Sequence, residues 1–146
     1  MNELETLNML LRLIGSSPVN SVNTKHPDAG NALSTMKRVS RRIQRRGWWC
    51  NIDYNVLAEP DDQGAIIVAD TVSSLVASNQ DYVLRGRRLY NKSLQTAVFT
   101  ATVDITRLIY ILDWDDMPQV MQESTAYGAA AEFVRDEIED PVREQS

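Results

Sequence analysis

The sequence predicts an α+β fold: an antiparallel-type bundle of about three helices with an inserted small, mainly antiparallel β-sheet. Three observations predict it. Apolar residues recur at three- and four-residue steps in residues 1–47 and again in 113–140. Between them, from about residue 48 to residue 112, alternating and β-branched runs separated by turn residues replace that period. The 146 residues suit one ordinary domain with a real core, so residues 1–146 read as a single unit of structure.

The first helix is expected over residues 3–14, where Leu4, Leu7, Leu11 and Ile14 share a face and Gly15 stands at the left-handed cap position. Residues 16–26 are a polar connection containing Pro18. A second helix opens at Pro27, whose fixed φ suits a first helical position, with Asp28 favourable in the first turn. It runs to Arg46 and stops at Gly47. Ala29, Ala32, Leu33, Met36, Val39 and Ile43 form its apolar face, and Lys37, Arg38, Arg41, Arg42, Arg45 and Arg46 the opposite one. The third helix is expected after Asp113-Trp114-Asp115-Asp116-Met117-Pro118, an aspartate cap followed by proline, and to end at Pro141. In it Val120, Ser124, Tyr127, Ala131, Val134 and Ile138 keep the spacing of a helix–helix seam, and Gly128-Ala129-Ala130-Ala131 leaves room for a close neighbour.

In the middle, Cys50, Ile52, Tyr54 and Val56 alternate with polar residues as in a half-buried strand. Residues 60–64 (Pro-Asp-Asp-Gln-Gly) read as a turn and Ala65–Ala69 as a short strand. Tyr82–Leu84 and Leu89–Tyr90 flank Arg85-Gly86-Arg87-Arg88, a tight hairpin with Gly86 at positive φ. Val98–Val103 and Ile105–Leu112 supply the last strands. There is no internal repeat and no low-complexity stretch.

Composition narrows the function. No run approaches the roughly 18 apolar residues of a membrane span. The amino terminus carries Glu3 and Glu5 rather than a signal-peptide pattern, and the lone Cys50 has no intrachain disulfide partner, so a reducing cytosol is expected. Residues 1–112 hold 13 Lys plus Arg and 10 Asp plus Glu, whereas residues 113–146 hold 2 and 10, which together make the 15 and 20 of the chain. Opposite charge at opposite ends of a sequence suits head-to-tail contact between identical subunits, but charge alone favours the plainer reading of two solvated faces of a monomer.

Catalytic chemistry finds little footing. The single histidine, His26, precedes a proline in a polar loop without a neighbouring ligand, which suits a surface or capping role. Cys50 has no second cysteine for a zinc or redox pair. Asp113, Asp115 and Asp116 are the densest carboxylates, but they lack the spacing of a calcium loop and read as a helix cap. No glycine-rich phosphate loop or nucleophile elbow is present, so no enzyme, metal or cofactor is expected. The basic helix could also contact phosphates, which makes a small DNA-binding regulator using residues 27–46 the alternative function; an acidic chain average speaks against it. Trp48 and Trp49, as consecutive strand residues, point to opposite sides, so at most one ring easily enters the same core; either the other anchors an interface or both cover the two sides of a small sheet.

Four stretches occur in a telling order: Leu10-Leu11-Arg12-Leu13-Ile14-Gly15-Ser16-Ser17-Pro18-Val19, Ile43-Gln44-Arg45-Arg46-Gly47-Trp48-Trp49-Cys50-Asn51-Ile52, Leu89-Tyr90-Asn91-Lys92, and Asp113-Trp114-Asp115-Asp116-Met117-Pro118. In this order they resemble the tail tubular protein A family, the head-to-tail adaptor of short-tailed, podovirus-type bacteriophages, over roughly residues 4–139. The resemblance implies a virion structural protein, made in the host cytoplasm and forming a dodecameric ring between the portal protein and the tail nozzle, tail tubular protein B. It further implies tail fibres near the same junction, DNA passing the lumen with non-specific contact, and no membrane. Members of that family continue into a further carboxy-terminal helix, whereas this sequence stops shortly after Pro141. Interface candidates are Arg38, Arg41, Arg42, Arg45, Arg46, Trp48, Trp49, Arg85, Arg87 and Arg88.

Overall fold

A computed structural model describes residues 1–138. These residues form three α-helices, one three-stranded antiparallel sheet and one two-stranded hairpin, the α+β class that the sequence predicts. Its contacts separate two compact units: Met1–Ile43 with the chain from Asp113 onward, and Gln44–Leu112.

The helical unit begins with α1 (Glu3–Leu13). Asn2 and Glu5 close its amino terminus reciprocally: the Asn2 side chain accepts from the Glu5 amide at 2.7 Å, and the Glu5 carboxylate accepts from the Asn2 amide at 3.4 Å. At the other end Ser16 N–H donates to the Leu11 carbonyl and Gly15 N–H to that of Arg12, the paired bonds of a left-handed cap. The connection that follows is pinned to α1 by Asn8, whose side-chain amide exchanges two hydrogen bonds with the Val19 backbone. His26 caps α2 (Pro27–Gln44): its Nδ1 accepts from the Ala29 amide at 3.4 Å. Ala29, Ala32, Met36 and Val39 on α2 are buried, as the apolar spacing requires.

The start of the third helix differs from expectation. Trp114–Asp116 form a separate 3-10 turn, and Asp113 at its cap position makes no side-chain capping bond. Helix α3 (Gln119–Ile138) follows Pro118 and has no acidic residue in its first turn, so the aspartates do not cap it. Its expected end at Pro141 lies outside the described residues. Trp114 is buried, donating from Nε1 to the Met1 carbonyl, while the Gln122 side chain donates to the Trp114 carbonyl. The buried face of α3 is Met121, Thr125, Ala126, Ala129 and Phe133. The expected seam lies on the other side: Val120, Tyr127 and Ile138 are 52%, 68% and 73% exposed. Gly128 does admit a close neighbour, since a Cβ there would stand 3.0 Å from a Val39 methyl of α2.

In the β unit, β5 (Val103–Tyr110) lies between β1 (Ile52–Ala58) and β2 (Val72–Ala77), antiparallel to both. Strand β2 is absent from the sequence reading. Conversely, Val98–Val103 is not a strand: Phe99 is buried, and its amide donates to the Gly64 carbonyl. Ala65–Ala69 reduces to one bridge, Ile67 to Arg88. The hairpin of β3 (Tyr82–Arg85) and β4 (Arg88–Asn91) forms as expected, with Gly86 at φ 62° in a two-residue loop. The turn at 60–64 also forms, Asp61 Oδ1 accepting from the Gln63 and Ala65 amides. The unit's core gathers Ile66, Ala77, Leu89, Phe99, Val103, Ile105 and Leu108, with Tyr82 meeting Phe99 edge to face at 5.0 Å.

Candidate assembly surfaces

The basic face of α2 divides into two populations. Arg38 donates from Nε and Nη2 to Glu132 Oε1 at 3.1 and 2.8 Å, and Arg42 Nη1 reaches Glu132 Oε2 at 3.2 Å. Glu132 lies on α3 with its side chain 14% exposed, so this fork ties the two helices of the unit together. The Arg38 hydrogen bond, helped by Arg42, holds the Glu132 carboxyl below the usual glutamate range despite the opposing cost of burial. Lys37 and Arg41 are exposed, and neither forms an ion pair among the described residues. The first two arginines hold the unit together; the other two cations remain available.

In the β unit, Arg45 and Arg46 occupy the turn after α2, exposed and likewise without an ion pair among the described residues. Gly47 then adopts φ 81°, and a Cβ on it would lie 2.8 Å from Ile52 Cδ1 and 3.1 Å from Ile109 Cδ1. Both the conformation and the space require glycine. Trp48 and Trp49 belong to a turn rather than to a strand, so strand alternation does not set their directions. Trp48 is half-buried, whereas Trp49 is 75% exposed.

The turn is fastened by two residues that sequence reasoning passed over. Asn51, 2% exposed, accepts from the Trp48 amide at 2.6 Å. It donates to the carbonyls of Gln44 and Tyr110 at 2.9 and 2.8 Å. Gln44, fully buried, exchanges two bonds with the Leu112 backbone, at 2.6 and 3.1 Å. Together they close both ends of the β unit, where the chain enters and leaves it. The available signal was a pair of amides, each next to apolar or aromatic neighbours and so needing buried partners.

The hairpin arginines are engaged within the unit. Arg85 stacks on the Tyr90 ring at 3.6 Å, Arg87 pairs with Asp70 at 2.8 Å, and half-buried Arg88 donates twice to the Ala97 carbonyl. They shape the tip before they contact anything else. A cavity of about 290 Å³ is lined by Tyr82, Leu94, Phe99 and Asp104 among others, and presents hydroxyls and amides with a single carboxylate. Among the described residues no three His, Cys, Asp or Glu side chains come close enough to share a metal ion. No helix among them is long and apolar enough to cross a membrane.

A family profile described as tail tubular protein matches residues 4–145. The chain belongs to the tail tubular protein family. Tail tubular protein A of Klebsiella phage KP34 is 30% identical over 121 residues. That alignment covers 82% of this chain and 64% of the relative, so the chain spans less than two thirds of the length of the curated relative it matches. Membership gives this tail tubular chain a structural role in a phage tail, and so a place in the virion.

Proposed function

We propose that this chain is the adaptor subunit of a phage head-to-tail junction. Copies close into a dodecameric ring seated on the portal protein and met on its far side by the tail nozzle, tail tubular protein B. The whole chain acts as one adaptor domain, a helical part with a β-rich insertion, and it needs no cofactor or catalytic group. Tail fibres attach at the same junction, and DNA leaving the head crosses the lumen without being read in sequence.

One observation carries this reading: in a member of this family, Lys37, Arg41, Arg45 and Arg46 stand exposed with no ion pair among the described residues. Cations left unneutralised suit an acidic neighbouring surface, or phosphates passing at non-specific distance. A separate observation weakens the DNA-binding regulator: Arg38 and Arg42 are committed to Glu132 and leave fewer cations to grip phosphate. Trp49 is the aromatic anchor of the β unit.

Reversing two charges, Arg41→Glu with Arg45→Glu, tests the reading by co-sedimentation with purified portal. Both side chains are exposed, so the circular dichroism spectrum stays unchanged while portal binding weakens by at least about tenfold. Docking at the wild-type level would overturn the assignment of these cations.

A further inference from the structure

Helix α3 is apolar on two opposite sides, and its own unit covers one of them. Met121, Thr125, Ala129 and Phe133 turn inward. Val120, Tyr127, Ala131 and Ile138 are exposed on the other side, with half-buried Ser124 and Val134 between them. At about 100° per residue these six positions fall within roughly 80° of arc, opposite the buried row. A surface helix ordinarily sends charge to that side, and one that is apolar on both is covered on both. Glu123 and Glu137 lie along one edge of this outer row and exposed Arg135 along the other, and none of the three forms an ion pair among the described residues.

The same unit carries a surface of matching chemistry. On the outer side of α2, Gly30, Ser34, Lys37 and Arg41 follow one another at four-, three- and four-residue steps, all exposed. Its cations are the two that Glu132 does not hold. Lysine and arginine stems lie well on apolar surface while their heads reach outward, here toward carboxylates at the edge of the row. A guanidinium is also a good neighbour for the exposed face of Tyr127.

We propose that the outer row of α3 in one copy packs against the outer row of α2 in the next. The occupant is a second copy because this chain holds both halves of the contact: an acid-edged apolar row and a cation-bearing row, each uncovered. Two different surfaces that meet head to tail repeat from copy to copy, as a ring requires. The inference rests on the ring reading and adds the surface by which neighbours join.

Cysteine cross-linking tests it, in the full chain carrying Cys50→Ser, with and without purified portal. Ser34→Cys and Ala131→Cys, both at small exposed positions, are introduced singly and together and then oxidised. The pair gives a ladder of covalent multimers, each single variant gives none, and adding Lys37→Glu, which leaves the portal-docking pair Arg41 and Arg45 intact, removes the ladder. A covalent dimer from Ala131→Cys alone would mean that α3 faces its own counterpart, which overturns the pairing. Failure of a maleimide to label Ala131→Cys in the monomer would mean that the same chain covers the row, and overturns it equally. Rings that form by sedimentation without the ladder would refute this surface and leave the ring reading standing. No multimer in any condition, portal included, would refute both.

Discussion

Removing the Asn51 side chain should cost more than almost any other polar truncation in the β unit. Asn51→Ala deletes three hydrogen bonds, of 2.6, 2.9 and 2.8 Å, to the backbone of Trp48, Gln44 and Tyr110. At about 1 kcal/mol net for each, the loss is about 3 kcal/mol. For a chain of this length that lowers the melting temperature by about 10 °C. Asn51→Asp separates hydrogen bonding from packing, because it keeps the shape but turns an oxygen toward two carbonyls. It should be at least as damaging at pH 7, and should recover partly as pH falls toward about 4, because burial raises the folded carboxyl above its free value and it takes up a proton to donate before the unfolded chain does. Thermal melts by circular dichroism across pH 3–8 measure both variants. An Asn51→Ala melting point within about 2 °C of wild type would refute the idea that this side chain fastens the ends of the unit.

Two further substitutions probe the helical unit. Glu132 is held below the usual glutamate range, so its stabilisation is complete above that range and is lost as pH falls through the lowered value. Glu132→Gln should therefore destabilise by about 1 kcal/mol at pH 7, a modest figure because both arginines are more than half exposed. That gap should close in acid, and urea titrations that show it constant from pH 7 to pH 3 would contradict the ion-pair account. The Thr125 hydroxyl is fully buried and has no hydrogen-bond partner among the described residues. Thr125→Val replaces it with a methyl of similar size and should stabilise by about 1 kcal/mol in the same titration; a loss of stability would show that the hydroxyl is bonded.

Sequence patterns were most legible where one short-range rule decided the outcome. Gly15 ending α1, Pro27 opening α2 and Gly86 turning the hairpin each answer to local backbone chemistry, and each appears as expected. Strand β2 was hidden because Val72-Ser73-Ser74-Leu75-Val76-Ala77 pairs with β5 through two register shifts, which break the two-residue alternation that announces a strand. Val98–Val103 misled in the opposite sense. Its β-branched residues suit extended backbone, yet the segment packs Phe99 into the core without joining a ladder. On α3 the sequence offers two apolar rows at helical spacing, and tertiary packing, including the close approach of Gly128 to Val39, selects Met121–Phe133 as the inner one.

The candidate surfaces were legible in kind rather than in role. Six cations on one side of residues 37–46 were visible in the sequence, but not that Glu132, more than 85 residues away along the chain, holds two of them. Long-range partners of this sort leave no periodic trace. The hairpin arginines likewise carry no sequence sign of their partners Tyr90, Asp70 and the Ala97 carbonyl. What remains after these assignments is a smaller and sharper set: Lys37, Arg41, Arg45, Arg46, Trp49 and the outer row of α3.

Native mass spectrometry of the chain mixed with purified portal tests the central claim most directly. The account predicts a portal assembly whose added mass equals twelve copies of the chain, and loss of that species on Arg41→Glu with Arg45→Glu. A chain that stays monomeric at every ratio, while the portal keeps its own mass, would contradict it.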